Sequence, residues 1–94
     1  MFSAEQLENG EIRFVGRLDA SQTEKAERTL KTILTTTVLD FKDLDYISSA
    51  GLGVLLASQK RLRTSGNGLI LSNLNKHIKD VFMFTGFDKL FEIR

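Results

Sequence analysis

The chain has 94 residues, 41% of them hydrophobic and 27% charged, which suits one compact domain over residues 1–94 with a single core. Thirteen Lys plus Arg against twelve Asp plus Glu leave a net charge of +1, so the basic footprint of a nucleic-acid or anionic-membrane binder is missing. No cysteine is present, which excludes disulfides and thiolate metal sites.

The N-terminus, Met1-Phe2-Ser3-Ala4-Glu5-Gln6, lacks a basic stretch followed by an apolar core. Nowhere do about eighteen apolar residues run together, and the expected compartment is the cytoplasm. Seven Gly and no Pro leave the turns to Gly, Asn and Asp.

Residues Ile12 to Leu18 alternate, with Ile12, Phe14, Gly16 and Leu18 on one face and Arg13, Val15 and Arg17 on the other. This is the period-two pattern of a half-exposed strand. Asn9-Gly10 before it signals a hairpin, so a short strand from about Phe2 to Leu7 should pair with it antiparallel. Ser21-Gln22-Thr23-Glu24 matches a capping box and predicts a helix start there. Ala26, Leu30, Ile33 and Leu34 then form its inward stripe, with Lys25, Arg28 and Lys31 facing water, and the β-branched Thr35 to Thr37 favour leaving the helix.

Val38-Leu39-Asp40-Phe41 and Leu69-Ile70-Leu71 read as strands buried on both faces, and the helix between them makes the pair a parallel βαβ unit. That helix carries Leu52, Leu55, Leu56 and Leu62 at helical spacing, widened by Val54 and Ala57, and stops at Ser65-Gly66-Asn67-Gly68. A further helix runs from about Asn75 to Thr85, with Ile78, Val81 and Phe82 inward and Gly86 as its C′ residue. Phe87, Leu90, Phe91 and Ile93 supply a last hydrophobic segment with a short strand. The expected architecture is α/β: a mixed, mostly parallel sheet with an antiparallel N-terminal edge strand, packed against helices.

Most enzyme chemistries need residue types this chain barely holds. His77 is the one histidine, reads as a surface residue on a helix, and has no cysteine to join it as ligand or nucleophile. Gly51-Leu52-Gly53 lacks the third glycine of a dinucleotide fingerprint. Asp40, Asp43 and Asp45 follow a buried strand, where phosphoryl acceptors or Mg²⁺ ligands often sit, and their plainer reading is solvated loop carboxylates.

Ser48-Ser49-Ala50-Gly51-Leu52-Gly53 stands apart. Two hydroxyls lie where the chain enters a helix, and two glycines occupy its first turns, each costing about 1 kcal/mol relative to alanine. Close packing of helix on sheet and a bare helix surface open to a partner both account for such glycines. One serine can cap the helix. A phosphorylated serine there would add about −1.5 to −2 charges beside the positive helix end, tolerable to the fold and hostile to a docked partner.

Several segments together resemble the STAS domain family, and most closely its single-domain anti-sigma factor antagonists. Gly16-Arg17-Leu18-Asp19-Ala20 looks like the family's segment before the first helix. Val38-Leu39-Asp40-Phe41 with Leu44 looks like its central strand, and Ile47-Ser48-Ser49-Ala50-Gly51-Leu52-Gly53-Val54-Leu55 is similar to its D-S-S-G-L-G-V-L motif. Phe84-Thr85-Gly86-Phe87-Asp88-Lys89-Leu90-Phe91 resembles its T-G-L-x-x-x-F ending.

The resemblance implies a partner-switching protein with no cofactor and no catalysis of its own. Its unphosphorylated form would bind an anti-sigma factor that is also a GHKL-type serine kinase, releasing that factor's target. Phosphorylation would break the complex, and a PPM-type phosphatase would restore it. Aligning on Gly51-Leu52-Gly53 places Ser49 at the acceptor position, Ser48 where many members carry Asp, and Ala50 where many carry a second Ser. Ser48 is the alternative acceptor, and Asp19, Ser48, Ser49, Ala50, Gly51 and Gly53 form the implied partner surface. The free protein is expected to be a monomer. The rival readings are a non-switching STAS subunit of a transporter or sensor complex and, with only the paired Gly51 and Gly53 behind it, a small-ligand sensor or nucleotide binder.

Overall fold

The computed structural model describes residues 1–94. Strand β1 (Phe2–Gln6) pairs antiparallel with β2 (Ile12–Leu18), then come α1 (Thr23–Leu30), β3 (Thr37–Ile47), α2 (Ser49–Arg63), β4 (Leu69–Ser72), α3 (Lys76–Thr85) and β5 (Glu92–Ile93). The sheet order is β1-β2-β3-β4-β5, with every pairing after the first parallel. The expected α/β architecture and the antiparallel edge are thus both present. The hairpin turns at Asn9-Gly10, where Gly10 takes φ 89° and the Glu11 amide donates to Asn9 Oδ1 at 3.0 Å.

Every parallel crossover steps in the same direction across the sheet. Right-handed crossovers of that kind lay all three helices on one face. The core forms there: Phe2, Ile12, Phe14, Leu18, Leu39, Phe41, Leu44, Ile47, Leu69 and Leu71 of the sheet against Ala26, Leu30, Leu52, Leu55, Leu62, Ile78 and Phe82 of the helices. Phe14 stacks on Phe41 with ring centroids 5.6 Å apart, and Phe2 meets Phe14 edge-on at 5.0 Å. The expectation that β3 and β4 are covered on both faces is therefore corrected. Val38 and Ile70, cross-strand neighbours on the open face, are only half-buried.

Strand β3 runs on through Asp43 and Asp45, which are exposed strand residues and not the loop carboxylates that composition suggests. Its core-facing residues, Leu39, Phe41, Leu44 and Ile47, break the period of two that a regular strand imposes. Two bulges reconcile them. Arg13 pairs with Asp40 but Val15 with Asp43, and Gly16 pairs with Leu44 but Arg17 with Tyr46, so β3 spends one extra residue at each shift.

Helix α1 differs from its sequence reading at both ends. The capping box does not form: Asp19 Oδ1 accepts from both the Ser21 amide (3.0 Å) and the Ser21 hydroxyl (2.6 Å), opening a single 3₁₀ turn at Ala20–Gln22. Gln22, with no side-chain cap bond, precedes α1. At the other end the helix stops at Leu30, where the Arg61 guanidinium from α2 donates to the carbonyls of Leu30 (2.9 Å) and, past the helix end, Ile33 (3.0 Å). Ile33 still reaches the core, while Leu34 is 74% exposed. On α2, Leu56 is half-buried and Ala57 exposed, and the polar Ser58 and Gln59 take the buried positions beside Leu55 and Leu62.

Candidate functional site

The site lies where β2 and β3 end side by side. Leu18 pairs with Ile47, so the next residues of each chain segment, Asp19 and Ser48, emerge as neighbours. The Ser48 amide donates to the Leu18 carbonyl at 2.9 Å, carrying the strand ladder one residue into the turn.

Ser48 holds an extended conformation (φ −89°, ψ 170°) and caps α2: its hydroxyl oxygen accepts from the Gly51 amide at 3.1 Å. This satisfies one of the orphan amides of the first turn. Ser49 is the first helical residue and stands exposed, its hydroxyl free of the capping duty. The first turn of α2 holds no acidic residue, while Lys60, Arg61 and Arg63 occupy the last turn, so the helix dipole is complemented at its C-terminal end only.

The two glycines, ambiguous in sequence, have different reasons. Gly51 is buried, and a Cβ there would stand 2.9 Å from Leu18 Cγ and Ile47 Cγ1 and 3.0 Å from the Leu18 carbonyl oxygen. It lets the helix lie against the strand ends. Gly53 is exposed, and a Cβ on it would meet nothing within 4 Å, so fold packing does not require it.

Asp19 is half-buried at the same end of the sheet. The Ser21 hydroxyl bond, chiefly, holds its carboxyl below the usual range, against a smaller effect of burial and with help from the Ser21 amide. Ala50 is exposed beside Ser49. Asp19, Ser48, Ser49, Ala50 and Gly53 thus share one end of the molecule, with Gly51 beneath them as the packing contact. His77 is exposed on α3.

The surface is not a pocket. A cavity of about 310 Å³ is lined by residues such as Gln6, Leu7, Ile12, Ile33 and Leu34, at the opposite end of the sheet. A second, of about 180 Å³, lies between α1 and α2. Neither includes Asp19, Ser48 or Ser49, and small-molecule sites are typically concave and enclosing. No helix is long and apolar enough to cross a membrane.

One polar cluster escaped sequence reading. Asp40 is 4% exposed, and its carboxylate accepts from Arg13 Nε (3.1 Å), Asn73 Nδ2 (2.9 Å) and the Lys42 amide (2.9 Å). Burial disfavours its charge, yet the bonds from Asn73, the Lys42 amide and Arg13, together with the Arg13 charge, outweigh that and hold the carboxyl below its ordinary value. Further along the same two strands, at their C-terminal ends, the Arg17 guanidinium lies over the Tyr46 ring at 4.3 Å.

The chain is similar to BtrV of Bordetella bronchiseptica, named as an anti-sigma factor antagonist, with 42% identity over 74 residues, 79% of this chain and 58% of that protein. It is 35% identical over 52 residues to the anti-sigma-B factor antagonist of Bacillus subtilis (strain 168), covering 55% of this chain and 48% of that protein. The chain thus spans about half the length of these curated relatives. Its fold matches the anti-sigma factor antagonist SpoIIAA, at 23% identity, with a TM-score of 0.77 to the unphosphorylated form (100% of this chain, 88% of that one) and 0.70 to the phosphorylated form (100% and 91%). The STAS domain model matches residues 3–94, and the chain belongs to the STAS domain family.

Proposed function

We propose that this chain, as a single STAS domain over residues 1–94, is an anti-sigma factor antagonist of a partner-switching pathway. Unphosphorylated, it binds an anti-sigma factor that is also a GHKL-type serine kinase, and it is phosphorylated on Ser49. A PPM-type phosphatase returns it to the binding form. The protein is ligand and substrate in this scheme, a cytoplasmic monomer when free, with Asp19, Ser48, Ser49, Ala50 and Gly53 on the docking surface and Gly51 setting the approach of α2.

One observation carries the reading. The two serines divide their labour: Ser48 is committed to the cap, and Ser49 is exposed, outside either cavity, one helical turn from a glycine that packing does not require. A phosphate on Ser49 leaves the cap in place and meets the positive end of α2. A partner docked over it must instead desolvate a dianion, which costs several kcal/mol when no donors compensate, and each 1.4 kcal/mol is about tenfold in affinity.

The test is intact-mass spectrometry with site mapping after incubation with ATP and each GHKL-type kinase of the source genome. One phosphate on Ser49, abolished by Ser49→Ala, is the expected result. Phosphate on Ser48 would keep the switch and move its site. No phosphate from kinases proven active would favour a non-switching STAS subunit of a transporter or sensor complex.

A further inference from the structure

We propose that Asp40 is a positioning residue for Ser48 and Ser49, acting through the phase of β3. The functional meaning of this rests on Ser49 as phosphoacceptor; its geometry does not. Counting along the β2–β3 ladder supplies the reason. After Arg13↔Asp40, each bulge advances β3 by one residue relative to β2, and only with both bulges does Ile47 fall opposite Leu18. The Ser48 amide then meets the Leu18 carbonyl, and α2 starts where Gly51 rests on Leu18. Without the first bulge, Tyr46 would stand opposite Leu18, and every side chain beyond the slip would change face.

Asp40 sits where that bulge begins and ties it on three sides. Oδ1 accepts from the Lys42 amide, inside the bulge. The same oxygen accepts from Asn73, which holds a left-handed turn (φ 58°) between β4 and α3. Oδ2 accepts from Arg13, the cross-strand residue just before the shift. A buried carboxylate, and not an apolar residue, answers all these donors at once. The cluster lies on the sheet face opposite the helices, so its place is not explained by filling the core.

The test is residue-resolved amide hydrogen exchange on the free full chain, comparing wild type, Asp40→Asn and, as a control for general destabilisation, Ile78→Val. Asparagine keeps the shape but turns an amide group toward Arg13 Nε. The expected result is exchange accelerated about tenfold from Leu44 to Gly51 beyond any change in α3. Acceleration spread evenly over the protein, as for Ile78→Val, or none beyond Asp43, would overturn the proposal and leave Asp40 a stability residue. Should Asp40→Asn not fold, Arg13→Gln loosens the same clamp and must give the same regional pattern. No partner is present in the measurement, so a failed clamp and a failed phosphorylation of Ser49 remain separate results.

Discussion

The Ser48 hydroxyl oxygen accepts the Gly51 amide at 3.1 Å, and that bond separates the roles of two adjacent serines. Ser48→Ala removes a cap and should lower stability by about 1 kcal/mol. Ser49→Ala should change stability by no more than about 0.5 kcal/mol, as for an exposed position, while abolishing phosphate incorporation. Urea unfolding of the two variants, set beside site-mapped phosphorylation, checks both statements.

The glycines give an opposed pair. Gly51→Ala drives a Cβ into Leu18 and Ile47 and should destabilise by about 1–3 kcal/mol despite the better helix propensity of alanine. Gly53→Ala adds a methyl in open space and should gain up to about 1 kcal/mol, roughly 4–8 °C in melting temperature for a domain of this size. On the proposed docking surface the same methyl should weaken partner binding. Calorimetry of the free protein and titration with the partner kinase would expose the trade; a stabilised variant with unchanged affinity would remove Gly53 from the interface.

Asp40 predicts a pH dependence. Its folded-state pKa lies below the ordinary 3.8, so the ionised form is the stabilising one. That contribution is complete above the unfolded value and is lost as pH falls through the depressed folded value. Asp40→Asn should therefore be less stable than wild type at neutral pH and lose less stability on acidification below about pH 4. Denaturant titrations at stepped pH, read as the difference between the two proteins, test the sign.

On the proposed switch, Ser49→Asp should bind the proposed partner kinase less tightly than wild type but be less completely blocked than a protein phosphorylated on Ser49, since one carboxylate carries less charge than the roughly −1.5 to −2 of a phosphate. Ser49→Ala should hold the partner in the presence of ATP. Unchanged affinity for Ser49→Asp would contradict the electrostatic block.

The elements that sequence alone determined are those written in local chemistry. Asn9-Gly10 needs only its own turn to make a hairpin, Asn75 and Gly86 bound α3 by bonds within one turn, and the leucines of α2 declare their stripe by spacing. That one of the two serines caps α2 was legible for the same reason, but which one was not: the fold gives the cap to Ser48 and leaves Ser49 exposed. What tertiary structure decided depends on partners distant in the chain. Arg61 reaches the carbonyl of Leu30, the last residue of α1, and that of Ile33 just beyond it, and Leu34 turns outward although its spacing fits the helix stripe. Asp19 outcompetes the Ser21 capping box because the end of β2 already holds it beside that turn. The reason for Gly51 lies in Leu18 and Ile47, and that for Asp40 in Arg13 and Asn73, contacts that exist only once the strands have paired. A carboxylate that composition assigns to a solvated loop thereby becomes a buried clamp, because three donors from three parts of the chain converge on it.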